Sequence, residues 1–262
     1  MNRFDSLVHV TRNGAWLNGR DDASLRRLLD EMDRGQVDRA CLVGLPGVVD
    51  NPYLLECAAS SDQRLVPVAG VDPRDATANG RVVDEMRALA QSGFRGIKLH
   101  PRLGGYDPLD ARVVDVMRAA GEAGLVVFLD TLFRQRAHAT PSAADIVDGL
   151  ARQCPTTTIV ALHGGGAELL AVAQVVKAHP NLVLDLSYTI LAFSGSSVDL
   201  DLAWVLRQLD RRVIIGSDMP EFTPLETYAR FDALTKDLSE EKRANVAYRN
   251  LAQLFPASAG AM

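Results

Sequence analysis

Cysteine is scarce in this chain: three residues in 262, Cys41, Cys57 and Cys154, with no CxxC pair among them. An odd number of distant thiols supplies neither a disulfide framework nor a zinc knuckle, and reduced thiols fit a cytoplasmic protein best. Long hydrophobic runs are missing too. No apolar stretch approaches the ~20 residues that cross a bilayer, so no membrane association is expected. The opening MNRFDSLVHV has no long apolar core of the kind a secretory signal carries. Basic clusters are few. Net charge is −5, both signs are interspersed, and the one basic stretch, Arg134 to Arg136, is short. A phosphate-binding face needs more than that, so no nucleic-acid partner is expected. No Pro/Gly/Ser-rich linker and no low-complexity segment divides the chain, and residues 1–262 read as one domain.

The apolar share of 47% and charged share of 23% suit a soluble globular core of ordinary size. Eight short apolar runs recur: Phe4–Val10, Ala40–Leu45, Leu65–Val71, Gly96–Leu99, Leu125–Leu129, Thr158–Leu162, Leu182–Leu186 and Val213–Ile215. Each is rich in Val, Ile or Leu, as strands buried on both faces are. Between them lie stretches of helical period. Ala23 to Met32 sets Leu25, Leu28, Leu29 and Met32 on one face, and Val82–Ala90, Ala111–Ala120 and Leu169–Val176 repeat the pattern. Thr140-Pro141-Ser142 opens a further helix, Tyr53–Ser60 is a short one, and Gly93 and Gly124 mark helix ends. A terminal helix near Glu240–Leu254 closes the chain, with Pro256–Met262 as a frayed tail. Strand and helix alternating eight times predict a parallel sheet closed into a (β/α)8 TIM barrel, which needs roughly 250 residues. A doubly wound open sheet is the alternative, but no GxGxxG follows the first strand.

Polar residues just past the strand ends line the mouth of such a barrel. The first run ends in His9. The fourth continues Lys98-Leu99-His100-Pro101-Arg102 and the fifth Asp130-Thr131. The sixth continues His163-Gly164-Gly165-Gly166, the seventh Asp185-Leu186-Ser187-Tyr188, and the eighth Gly216-Ser217-Asp218-Met219-Pro220. Any one alone reads equally as a loop residue or a helix cap; their convergence is the signal. Imidazoles and carboxylates around one mouth suit a divalent metal that generates hydroxide near neutral pH. An aspartate at the last strand suits a general base. Lys98, His100 and Arg102 suit an anionic group on a substrate. The plainer readings are these: Asp72 and Arg74 form a turn ion pair, Asp185 is a structural carboxylate, Asp5 orients the first strand, and His179 caps a helix end. His138 lies in the loop after the fifth strand, with Arg134 and Arg136 nearby.

These pieces together resemble the amidohydrolase superfamily, in its amidohydrolase-related branch of metal-dependent TIM-barrel hydrolases. Phe4-Asp5-Ser6-Leu7-Val8-His9 resembles the family's opening strand, normally Asp-x-His-x-His. GIKLHPRLGG, from Gly96 to Gly105, is similar to its fourth-strand signature. Leu162-His163-Gly164-Gly165, Gly216-Ser217-Asp218-Met219-Pro220 and the closing Arg249-Asn250-Leu251-Ala252-Gln253-Leu254-Phe255 follow in order. The likeness covers nearly the whole chain and implies a cytoplasmic enzyme acting on a small molecule, of a kind that often forms homodimers.

Two departures bear on the chemistry. The first metal histidine falls on Leu7, and the fifth-strand histidine falls on Asp130. Three readings follow from the resemblance. One divalent ion, zinc or manganese, is held by His9, Asp130, Asp218 and His163, with hydrolysis or decarboxylation as the reaction. Or no metal is bound and the enzyme opens a small, anionic cyclic ester or amide. Asp218 then activates water, His163 and Lys98 polarise the carbonyl, and His100, Arg102, Asp130 and Tyr188 bind substrate. Or catalysis has been lost and the barrel only binds a ligand. The metal-free reading leads, because losing two imidazoles weakens zinc binding and leaves an Asp-rich set suited to a harder ion.

Overall fold

The computed structural model describes residues 1–78, 80–133 and 141–256. Eight strands, β1 (Phe4–Val8), β2 (Arg39–Val43), β3 (Leu65–Gly70), β4 (Gly96–Leu99), β5 (Val126–Asp130), β6 (Ile159–Leu162), β7 (Leu182–Asp185) and β8 (Val213–Ile214), lie in chain order in one parallel sheet. Each falls within one residue of the run that predicts it at either end, except β1 and β2, which stop two residues early. Alternate residues face opposite sides. Cys41, Val43, Val66, Val68, Val126, Phe128, Val160, Leu162, Val183 and Ile214 form an interior cluster, and the residues between them pack against the helices.

β1 breaks this alternation. Its register against β2 shifts between Asp5 and Val8, so one extra residue is accommodated there. Phe4 and Leu7, three apart, therefore both join the interior cluster, while Val8 joins the outer one. The bulge turns the end of β1 toward the mouth. β8 meets β1 through Ser6 N–H to the Ile215 carbonyl (3.0 Å), Asp218 N–H to Leu7 (2.9 Å) and His9 N–H to Met219 (2.8 Å). The Asp5 side chain bridges the same seam, its Oδ1 accepting from Leu7 N at 3.1 Å and Ser217 N at 2.9 Å. Glycine is required at 216: a Cβ there would stand 2.8 Å from both Leu7 N and Asp5 Oδ1.

The opposite end is sealed. The closing segments Glu240–Ala244, Asn245–Arg249 and Asn250–Leu254 run on as one helix with a π turn inside it, as expected for 240–254. Leu251 and Phe255 enter the interior cluster, with the Phe255 ring stacked on Phe128 at 6.1 Å. The expected helices are present as Leu25–Arg34, Asn51–Ala59, Val82–Gln91, Ala111–Glu122, Ala143–Gln153 and Leu169–Ala178. Helices Val198–Gln208 and Pro224–Thr235 complete the outer layer and were not anticipated. The expected opening at Thr140 and the tail beyond Pro256 lie outside the described residues, as do Arg134, Arg136 and His138. Among the described residues no helix is long and apolar enough to cross a membrane.

Candidate active site

The loops leaving β6, β7 and β8 share an uncommon feature. His163 (φ 63°), Tyr188 (φ 60°) and Asp218 (φ 59°) all adopt left-handed backbone. A side chain there costs about 1–2 kcal/mol relative to glycine, and each is held in place. His163 donates its N–H to Asp185 Oδ1 (3.1 Å) and accepts from Thr189 Oγ1 at its carbonyl (2.6 Å). Asp218 donates across the seam to Leu7 and accepts from Glu221 N at 2.9 Å. The three glycines after His163 all have positive φ, and Gly165 donates to Thr131 Oγ1 at 2.7 Å.

His9 and Asp218 form one pair. His9 Nδ1 lies 2.6 Å from the Val43 carbonyl, so Nδ1 carries hydrogen and Nε2 turns to Asp218 Oδ1 at 3.5 Å. Trp16 stacks on the His9 ring at 5.2 Å and donates its indole N–H to Glu221 Oε1 at 2.8 Å. Burial, with the Lys98 charge, depresses the proton affinity of His9 and leaves it neutral. Burial works against ionisation of Asp218, His163 and Lys98 favour it, and the carboxyl is held below its usual range.

Asp130 gathers a second group. Its Oδ1 accepts from Leu132 N at 3.1 Å. Its Oδ2 lies 3.1 Å from His100 Nε2, 3.4 Å from His163 Nε2 and 3.8 Å from Arg102 Nη2, yet none of these approaches is aligned as a hydrogen bond. His100 Nδ1 accepts from Leu103 N at 3.3 Å, which leaves its hydrogen on Nε2 toward Asp130. Burial pushes His100 down to about 3, so that ring is neutral. His163 differs. Burial opposes its charge, but Asp130 and Asp218 win and raise its proton affinity. Asp130 stays ionised despite burial because His163, His100 and Lys98 surround it.

Lys98 is 2% exposed and, among the described residues, has no hydrogen bond and no carboxylate within ion-pair distance. Burial lowers its proton affinity, and Asp218, Asp130 and Asp185 act in the other direction. Tyr188 stands edge-on to His163 at 5.8 Å and leans on Phe222 at 5.7 Å, forming an aromatic wall. Asp72 and Arg74 make the expected turn pair at 2.5 Å, and His179 bonds Asp148 at 2.6 Å, away from the mouth. Trp16, Glu221 and Phe222 were not singled out in the sequence. A tryptophan shortly after the first strand, in a chain with only two, was the available signal.

The four residues expected to share a metal fall into two pairs, His9 with Asp218 and His163 with Asp130. Leu7, where the resemblance expects a ligand, is wholly buried in the apolar interior. Lys98 lies in the same cluster, and whenever it is protonated its charge repels a cation. Among the described residues no group of three or more His, Cys, Asp or Glu side chains has the arrangement of a metal site. The side chains present do not fit the family's metal set.

A closed eight-stranded barrel with carboxylates, imidazoles and cationic groups gathered at the carboxyl ends of its strands has the layout of a TIM barrel, whose sites lie at that face. The amidohydrolase family model matches residues 16–257, and the chain belongs to that family. A search of curated proteins gives no match. Among solved structures, an uncharacterised TIM-barrel protein from Bordetella bronchiseptica superposes with TM-score 0.78 at 17% identity, covering 97% of this chain and 98% of that one. A probable 2-pyrone-4,6-dicarboxylic acid hydrolase from Acinetobacter baumannii, solved with citric acid, gives 0.72 at 16%, covering 97% and 99%. A 5-carboxyvanillate decarboxylase from Novosphingobium aromaticivorans, solved with manganese, gives 0.71 at 15%, covering 97% and 96%.

Proposed function

We propose that this protein is a hydrolase that opens a small, anionic cyclic ester, a lactone, using water activated by Asp218 and no bound metal. The observation that carries this reading is Asp218 itself. It is an ionised, buried carboxylate held in left-handed backbone at the mouth, 3.5 Å from a neutral imidazole. A carboxylate and a bare Nε2 side by side are two acceptors for the hydrogens of one water. That water is left with its lone pairs free to attack. Asp218 takes the proton as the C–O bond forms, and the tetrahedral oxyanion develops beside Lys98 and His163, which supply N–H donors to it. Collapse breaks the ring C–O bond, and the Asp218 proton passes to the departing oxygen. Lactone plus water thus gives the open hydroxy acid. Arg102, partly exposed at the rim, receives a substrate carboxylate, His100 and Asp130 fix its orientation, and Tyr188 walls the ring. The pyrone dicarboxylate named for the Acinetobacter relative is a cyclic ester of this class.

A single-ion decarboxylase or hydrolase is the second reading. It is favoured by Asp130 Oδ2, a buried acceptor without a hydrogen-bond partner. The test is elemental analysis of protein purified without chelator, followed by pH-stat assay of carboxylated lactones before and after chelation. Chelator-resistant ring opening that falls about 10²- to 10⁴-fold in Asp218→Asn is the expected result. A stoichiometric metal whose removal abolishes turnover overturns the metal-free reading. Full turnover by Asp218→Asn overturns the base. Ligand binding without turnover makes the barrel a binding protein.

A further inference from the structure

Asp185 reads from the sequence as a structural carboxylate, yet its contacts converge on one site residue. Its Oδ1 accepts from His163 N and from Ser187 N, each at 3.1 Å, and also from the Ser187 hydroxyl. Its Oδ2 accepts from the Ser6 hydroxyl on β1. An oxygen that takes two backbone N–H groups carries no proton, so the Ser187 hydroxyl spends its only hydrogen on Asp185. The Ser187 Oγ therefore shows a lone pair to His163 Nδ1, 3.1 Å away. The Ser187 carbonyl faces the same nitrogen at 3.2 Å. Nδ1 then meets two acceptors and must carry hydrogen, and the ring is turned so that Nε2 points toward Asp130.

We infer that Asp185 and Ser187 are positioning residues for His163. Asp185 grips it twice, once at the backbone N–H that stabilises its left-handed conformation and once through Ser187 at the ring. For a metal-bound imidazole an orienting partner on the far nitrogen typically matters about 10- to 100-fold, and the same control of ring orientation and tautomer acts on an imidazole without metal. The arrangement makes no contact with substrate; it sets which His163 nitrogen faces the pocket. The consequence for turnover rests on the lactonase reading, but the state of the ring does not.

The test uses the full-length protein labelled with ¹⁵N-histidine, without substrate. Wild type is expected to show a protected Nδ1–H signal for His163, assigned by its loss in His163→Asn. Ser187→Ala is expected to shift that signal and speed its exchange with solvent at least several-fold. Asp185→Ala should abolish it, and Asp185→Asn, which keeps an amide oxygen for the same donors, should restore it. If Asp185→Ala does not fold, Ser187→Ala and Asp185→Asn carry the test. An Nδ1–H signal identical in wild type and Ser187→Ala, or a wild-type ring without hydrogen on Nδ1, overturns the inference. Once a lactone substrate is known, Ser187→Ala should lower kcat about 10-fold or more with KM little changed. An unchanged kcat beside a changed Nδ1–H signal would count against the lactonase role of His163 and leave the positioning intact.

Discussion

Asp5 offers a measurable test of how the barrel closes. Its carboxyl is wholly buried, with Oδ1 bonded across the seam and Oδ2 without a partner. Burial, aided by the nearby Asp185 charge, pushes it up from 3.8 to about 7, against the hydrogen bonds from Ser217 and Leu7. In the unfolded chain the same group ionises near 3.8. Between these two values the folded state keeps a proton that the unfolded state has released, so stability falls as pH rises. Asp5's contribution is fully present below about 4 and lost by the time pH passes 7. Some three units at about 1.4 kcal/mol each give a loss of about 4 kcal/mol across that window. Asp5→Asn keeps an oxygen for the two N–H donors and removes the titration. Urea unfolding of both proteins at pH 4, 5, 6, 7 and 8 isolates the effect, because other groups cancel in the difference. Wild type should lose about 4 kcal/mol relative to Asp5→Asn between pH 4 and 8. A difference that does not vary with pH refutes the claim that Asp5 is held protonated at the seam.

Other expectations concern the plug, the rim and the metal question. Phe255→Ala opens a cavity beneath Phe128 and should cost about 3–5 kcal/mol in urea unfolding, with little change in any ligand affinity at the far end. Arg102→Ala should raise KM for a carboxylated lactone at least tenfold while leaving kcat near wild type, as measured by steady-state kinetics. The double change Leu7→His with Asp130→His supplies the two imidazoles the family pattern calls for. It should raise zinc retention after dialysis well above wild type, read by elemental analysis. Equal zinc content in the two proteins would show that these positions do not govern metal binding.

The eight strands were legible because parallel strands covered on both faces carry short aliphatic runs such as Ile159–Leu162, all fully buried. Helix Val198–Gln208 was harder to see. It opens Val-Asp-Leu-Asp-Leu, which alternates as a strand would, and its buried face of Val198, Leu202, Val205 and Leu206 emerges only over its full length. The mouth residues were readable from their place after the strands; how they pair was not. The bulge that turns Leu7 inward depends on hydrogen bonds to β8, more than 200 residues away along the chain. The split into a His9–Asp218 pair and an Asp130 cluster follows from ring orientations set by the Val43 and Ser187 carbonyls, groups that every residue possesses. Trp16 and Glu221 are not legible as partners in the sequence because their bond joins two loops from opposite ends of it.

The seam between the first and last strands also bears on how the protein comes into being. His9 leaves the ribosome with the earliest strand, and Asp218 follows only after seven more have been made. Asp5 and Ser217, which tie the two together, stand 212 residues apart. Contacts so distant in sequence form late, because the whole intervening chain must be ordered first. A nascent or truncated chain therefore owns an imidazole without its carboxylate, and the His9–Asp218 pair exists only when the ring is complete. The pair is thus a property of finished molecules alone.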